Sequence, residues 1–247
     1  MNLLSICDFA DTTTDPSVRG FLHASATANG NGLVLTHGAG GNAQASLLRA
    51  LADTFAEAGY TVLRCNLPYR QARSFGPPGP ADAARDRAGL KNAISALQKA
   101  VRENVTNKEM MGFREAEQAS GKLYLGGHSY GGRQSSMLCA ELSKEAPNLV
   151  AGLLLLSYPL HPPRRPEQQR TQHLPDLRTP TLFVSGTRDP FGTVEELQRA
   201  IKMIPAKTKL LTVEGAGHDL GFKGKAKKEE LPTRILSEFA QLIGLSS

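Results

Sequence analysis

Cysteine is scarce in this chain: Cys7, Cys65 and Cys139 are the only three, odd in number and far apart. That usage excludes a disulfide framework, offers no metal-binding spacing, and suits a reducing cytoplasm. Long apolar runs are missing as well. No stretch of the sequence approaches the ~20 residues of a membrane span, so no membrane partner is expected. Residues 1–10 lack a basic start and a long apolar segment, and Asp8 and Asp11 interrupt what apolar character there is, so a secretory signal is not expected either. The net charge is formally +6, but it lacks the interleaved aromatics of a nucleic-acid surface. Part of it sits in Lys223, Lys225, Lys227 and Lys228, next to Glu229 and Glu230 and with Phe222 as thin aromatic company. That run reads as a solvated loop, and no nucleic-acid partner is expected.

What remains is a globular composition, 40% hydrophobic and 21% charged over 247 residues, enough for one α/β domain spanning 1–247. Short apolar segments at 33–36, 61–65, 123–126, 150–156, 181–185 and 209–214 read as strands, and residues 1–31, with a strand at 19–25, are expected to supply two antiparallel strands entering the sheet. Between them lie helical patterns: from an Asn42 cap to about 58, then 81–103, 129–144, 193–204 and 231–243. Thr193 and Glu196 stand at capping-box spacing. Residues 66–80 and 158–180 are Pro-rich and read as loops, and 105–121 is polar and unassigned. Strands alternating with helices imply a mostly parallel central sheet with helices on both faces.

The segment 123–132 carries the strongest signal, Leu-Tyr-Leu-Gly-Gly-His-Ser-Tyr-Gly-Gly. It places Gly127-x-Ser129-x-Gly131 between a strand and a helix, the pattern of an exposed nucleophilic serine on a sharp turn. The small neighbours let strand and helix close on each other, and the helix start aims free N–H groups at the serine.

In a parallel sheet, functional groups collect at the carboxyl ends of the strands. Three other strand ends carry polar residues here: His37-Gly38-Ala39-Gly40, Gly186-Thr187-Arg188-Asp189, and Gly215-Ala216-Gly217-His218-Asp219. Histidine suits the task of taking a serine proton at neutral pH, and a carboxylate would fix its tautomer. His218 is the base candidate, with Asp189 as acid and Asp219 and Asp176 as rival acids. His128 is expected to pack or line the pocket, and His37 to brace its loop. The backbone N–H groups of Tyr130 and Ala39 are the expected oxyanion donors.

The motifs LVLTHGAGGN, GGHSYGG, LLLLSYPLHPP, PTLFVSGTRDPFG and EGAGHDL together resemble the α/β-hydrolase superfamily over essentially the whole length. More narrowly they resemble a small dienelactone-hydrolase-like group, related to the hydrolase-like domain of a chromatin non-specific-lethal complex subunit and to a testis-expressed protein. The resemblance implies the α/β-hydrolase fold, with Ser129 as nucleophile, Asp189 as acid and His218 as base. It implies a carboxylesterase-like serine hydrolase working through an acyl-enzyme, with no cofactor and no metal. Dienelactone hydrolases proper often use cysteine where this chain has Ser129.

Two rivals belong to other classes. One is a non-catalytic interaction module on the same fold. The other is a dinucleotide-binding oxidoreductase, because Gly38-Ala39-Gly40-Gly41-Asn42-Ala43 fits G-x-G-x-x-A; the acidic ribose ligand is missing, since the next strand ends Arg64-Cys65-Asn66. The interval 157–180 is short and broken by prolines, so no large helical lid is expected. The mouth should then be framed by loops, with Tyr69, Arg70, Tyr158, His161 and Phe191, and also Phe75 and Phe222, as candidate lining. Arg70 or Arg73 on an open loop would suit an acidic substrate. The expected partner is a small ester with a short acyl group.

Overall fold

The structure, a computed structural model, describes residues 4–25, 27–110, 121–221 and 230–244. The lysine-rich run with Phe222 lies outside the described residues, as does most of the polar segment after residue 110.

The strands are β1 (Ser5–Asp11), β2 (Val18–Ala24), β3 (Gly32–Thr36), β4 (Thr61–Cys65), β5 (Leu123–His128), β6 (Gly152–Leu156), β7 (Thr181–Gly186) and β8 (Thr208–Val213). They form one sheet in the order β1-β2-β4-β3-β5-β6-β7-β8. The first two pair antiparallel and β2 meets β4 antiparallel, while every pairing from β4 to β8 is parallel. The helices are α1 (Ser46–Glu57), α2 (Pro68–Ala72), α3 (Asp82–Met110), α4 (Tyr130–Glu145), α5 (Val194–Ile201) and α6 (Glu230–Ile243).

Alternation along the strands sorts the core into two layers. Leu33, Leu35, Leu154, Leu156, Leu182 and Val184 face α1 and α6. Val34, Leu63, Leu125, Leu153, Leu155 and Phe183 face α3, α4 and α5. Continuous apolar runs on central parallel strands are the expected consequence of burial on both faces. Beyond β3 the chain turns one way to β4 and then crosses back to β5 on the other side. The carboxyl ends of β3 and β5 thus flank a topological switch point, the place where an open α/β sheet leaves a crevice.

Two local readings change. Asn42 does not cap α1; its side chain accepts the Gln44 N–H at 2.8 Å in a separate turn, and the helix begins at Ser46. Residues 68–72, read as loop, form a short helix with Pro68 in its first turn, where a missing N–H costs nothing. The interval before β7 carries only a 3-10 turn at Leu174–Asp176 and builds no helical cap.

Candidate active site

Ser129 sits between β5 and α4 with φ 51° and ψ −117°, a conformation that L residues rarely adopt. The packing imposes it. A Cβ on Gly127 would stand 2.7 Å from the Gly131 carbonyl carbon, one on Gly132 2.6 Å from the Gly127 oxygen, and one on Gly131 2.4 Å from the His37 oxygen. Only glycine lets strand, helix and the β3 turn approach so closely. The Ser129 N–H is held by the Leu156 carbonyl at 2.8 Å, which pins the turn to β6.

The loops after β7 and β8 bring two side chains to this serine. Ser129 Oγ lies 2.7 Å from His218 Nε2, and His218 Nδ1 lies 2.8 Å and 3.0 Å from the two Asp189 oxygens. With Nδ1–H donating to the carboxylate, Nε2 is left as the acceptor for the serine hydroxyl. Asp189 is buried, and its Oδ1 also accepts the Phe191 N–H at 2.9 Å. The His218 ring lies between two neighbours, Phe191 with centroids 4.2 Å apart and His128 at 5.2 Å. His128 Nε2–H donates to the His218 carbonyl at 2.8 Å, so it steadies the histidine loop and packs against it, as its position suggested. Asp219 lines the adjacent cleft, and its carboxylate accepts the Gly221 N–H at 3.0 Å. Asp176 lies in the 3-10 turn, 3.7 Å from Lys144. Of the three acids weighed, Asp189 is the one at the imidazole.

Opposite the histidine, the turn after β3 lies against the serine: a Cβ on Gly38 would stand 3.2 Å from Ser129 Cβ. Buried donors hold this turn from below. The Gly38 carbonyl accepts His37 Nδ1–H at 2.9 Å and the Tyr69 hydroxyl at 3.2 Å. The Ala39 carbonyl accepts Tyr69 at 2.9 Å and Arg70 Nη2 at 3.1 Å, and the Gly41 carbonyl accepts Arg70 Nε at 2.9 Å. A trans peptide points its C=O and N–H in opposite directions, so tying down Gly38 C=O turns Ala39 N–H away from the braces. His37 Nε2 accepts the Leu67 N–H at 3.1 Å, and burial pushes His37 down to about 4, so it acts as a neutral brace.

Asp86, not singled out from the sequence, joins the two halves of this wall. It is fully buried; Oδ1 accepts the Tyr69 N–H at 3.0 Å and Oδ2 the Tyr130 hydroxyl at 2.7 Å. Burial holds its carboxyl above the usual range despite both bonds. Its sequence signal is only a carboxylate in a helical pattern, which normally reads as exposed.

The predicted lining is largely corrected. Tyr69 and Arg70 are buried and spend their polar atoms on loop carbonyls, so Arg70 is not on an open loop. Arg73 pairs with Asp82 at 2.5 Å. Tyr158 is buried, packs on Phe183 and donates to the Arg170 carbonyl at 2.5 Å. His161 is buried against Pro162 and Glu196. Phe75 is 82% exposed and lines neither cleft beside the serine. Phe191 alone of the described candidates borders both clefts.

Those clefts lie on either side of Ser129. The smaller, about 340 Å³, is bordered by the 37–41 turn, Leu47, His128 and His218. The larger, about 620 Å³, is bordered by Pro77, Pro80, Pro159, Arg133, Gln134 and Arg170. Ala39 borders both. Among the described residues no group of His, Cys, Asp and Glu is placed to hold a metal ion, and no helix is long and apolar enough to cross a membrane.

A serine on a strained strand-to-helix turn, hydrogen-bonded to a histidine that is held by a buried carboxylate, has the arrangement of a Ser-His-Asp triad on a doubly wound sheet. The chain belongs to the alpha/beta hydrolase family: the family model described as an alpha/beta hydrolase domain matches residues 29–244. Its fold is shared with a dienelactone hydrolase from Anabaena variabilis (18% identity, TM-score 0.67, covering 96% of this chain and 97% of that one). It is shared too with an alpha-beta serine hydrolase homologue from Coxiella burnetii (16%, TM-score 0.61, 98% and 97%). An esterase from Pyrococcus furiosus is similar as well (16%, TM-score 0.62, 96% and 90%).

Proposed function

We propose that this hydrolase is a carboxylesterase-like enzyme that cleaves small, short-acyl esters through Ser129, His218 and Asp189. The observation that carries the reading is the hydrogen-bonded row from Ser129 Oγ through His218 to Asp189, built on a backbone conformation that is strained for a residue with a side chain. His218 Nε2 takes the hydroxyl proton as Oγ attacks the ester carbonyl. The oxyanion is met by the N–H groups of Ala39 and Tyr130. The intermediate collapses as the C–O bond breaks, and His218 returns the proton to the departing alcohol. Water then enters the same sequence: His218 accepts its proton, hydroxide adds to the acyl-serine carbonyl, and collapse releases the acid and restores Ser129. Asp189 holds the imidazole in the tautomer with Nδ1 protonated and offsets the charge of the imidazolium.

Short acyl groups are favoured because the 157–180 interval offers no helical cap over the serine. Each buried CH₂ is worth only about 0.8 kcal/mol, and a long chain would leave most of its length in water. The test is turnover of p-nitrophenyl acetate, butyrate, octanoate and palmitate without detergent, with Ser129→Ala alongside. The expected outcome is a maximum at acetate or butyrate, and a loss of at least about 10³-fold in kcat for the alanine variant, with fluorophosphonate labelling abolished. Undiminished turnover in Ser129→Ala would remove the assignment, and a maximum at octanoate or beyond would remove the short-acyl preference.

A further inference from the structure

We propose that the larger cleft beside Ser129 is an acyl subsite for a carboxylate, formed by Arg133 and Arg170, and that the substrates are half-esters of short dicarboxylic acids. The inference rests on the esterase reading above for the placement of the two halves of the ester. In that chemistry His218 hands a proton to the alcohol oxygen, so the alcohol must lie beside it. His218 borders the smaller cleft and not the larger. Tyr130, whose N–H would meet the oxyanion, borders the larger cleft with Ala39, so the acyl chain continues there.

The walls of that cleft are cationic. Arg133 follows Ser129 by one helical turn, and its N–H donates to the Ser129 carbonyl at 2.9 Å. Its side chain borders the cleft together with Ser129. Arg170 enters from the loop before β7, with Nη1 donating to the Pro159 carbonyl at 3.1 Å. Neither arginine is in an ion pair among the described residues. No Asp or Glu borders the cleft. Burial, and next the Arg133 charge, hold Arg170 below the usual guanidinium range. Burial, then Arg133 and Arg87, push the nearby His173 down to about 4, so it adds no third charge.

A carboxylate seated between Arg133 and Arg170 accepts from a guanidinium fork and separates two like charges. A methyl at the end of the acyl chain would do neither.

The probes are monomethyl glutarate and methyl pentanoate, which differ by a terminal carboxylate in place of a methyl group, followed by pH-stat. Wild type should favour the glutarate by at least tenfold in kcat/KM, mainly through KM, and the ratio should shrink as salt rises. Arg133→Gln and Arg170→Gln should each cut that ratio about tenfold, Arg133→Lys should restore part of it, and the exposed Arg234→Gln should leave it unchanged. A ratio of one or below in active wild type, or an equal loss of ratio in Arg234→Gln, overturns the subsite while leaving the esterase reading in place. If neither ester is turned over, the esterase reading falls and calorimetry with glutarate decides the subsite. Binding that weakens at least tenfold in Arg133→Gln then supports it, and no binding overturns it.

Discussion

The two walls around Ser129 are held in different ways. The wall proposed to meet the oxyanion, or oxyanion wall, is a buried lattice. Asp86 grips Tyr69 and Tyr130, Tyr69 and Arg70 grip the carbonyls of the β3 turn, and His37 grips both Gly38 and Leu67. The base wall is two loops meeting near the surface. Thr187 N–H reaches the Val213 carbonyl at 3.1 Å, Arg188 N–H reaches Ala216 at 2.9 Å, and the His218 side chain is 22% exposed. The contrast matches the work that the proposed mechanism asks of each wall. Electrostatic stabilisation of an oxyanion depends on dipoles that do not reorganise, whereas a histidine that receives and returns a proton must serve two oxygen partners in turn.

Substitutions can break or sharpen that contrast. The largest effect is expected on the base wall, where Asp189→Asn should lower kcat by about 10³- to 10⁴-fold through loss of the right tautomer. Asp219→Asn, in the neighbouring position, should change kcat less than about threefold, because Asp189 is the carboxylate hydrogen-bonded to Nδ1. Equal damage from the two would mean the loops deliver either acid to the imidazole. On the oxyanion wall, Tyr69→Phe removes a brace and not a donor. It should lower kcat about tenfold, below the ~10²-fold or more of losing a donor outright, with KM nearly constant. No change in kcat would show that the turn needs no brace.

Acid should weaken the fold through three histidines, of which His37 belongs to the lattice. Burial holds His23, His37 and His173 at about 4 in the fold, against about 6.5 unfolded. Between those values the unfolded chain binds more protons, so stability is fully present above about 6.5 and falls as pH drops toward 4. The urea midpoint should therefore decline steadily from pH 7 to pH 4.5. A flat profile would mean these histidines are not held neutral. The smallest effect belongs to a loop tie: Thr187→Ala loses the hydroxyl that accepts the Gly215 N–H at 2.9 Å and should cost about 0.5–1.5 kcal/mol, with kcat within about threefold.

Much of the base wall was legible in the sequence. Ser129, Asp189 and His218 each follow an apolar strand, and in a parallel sheet strand ends converge. The placement of Ala39 and Tyr130 beside Ser129 was legible for the same reason. The oxyanion lattice was not. Tyr69, Arg70, Tyr158 and His161 read as lining because polar and aromatic residues on loops usually face water. Here they turn inward to carbonyls that irregular backbone leaves unpaired, and no local pattern reveals which carbonyls those are. Asp86 and Gln134 were not singled out from the sequence, and the Tyr130 and Arg87 side chains they bond stand 44 and 47 residues away. Asn42 failed as a cap because its side chain was taken by a nearer amide.

The backbone at Ser129 has a thermodynamic consequence. Values of φ 51° and ψ −117° are open to glycine and costly, by about 1–3 kcal/mol, for any residue with a Cβ. Ser129→Gly releases that strain, and the release outweighs the roughly 0.5–1 kcal/mol of added freedom that glycine gives the unfolded chain. The inactive glycine variant should therefore melt above the wild type. At this position selection for folding and selection for turnover pull in opposite directions, and a sequence drifting without a substrate would be expected to lose the serine before it lost the fold.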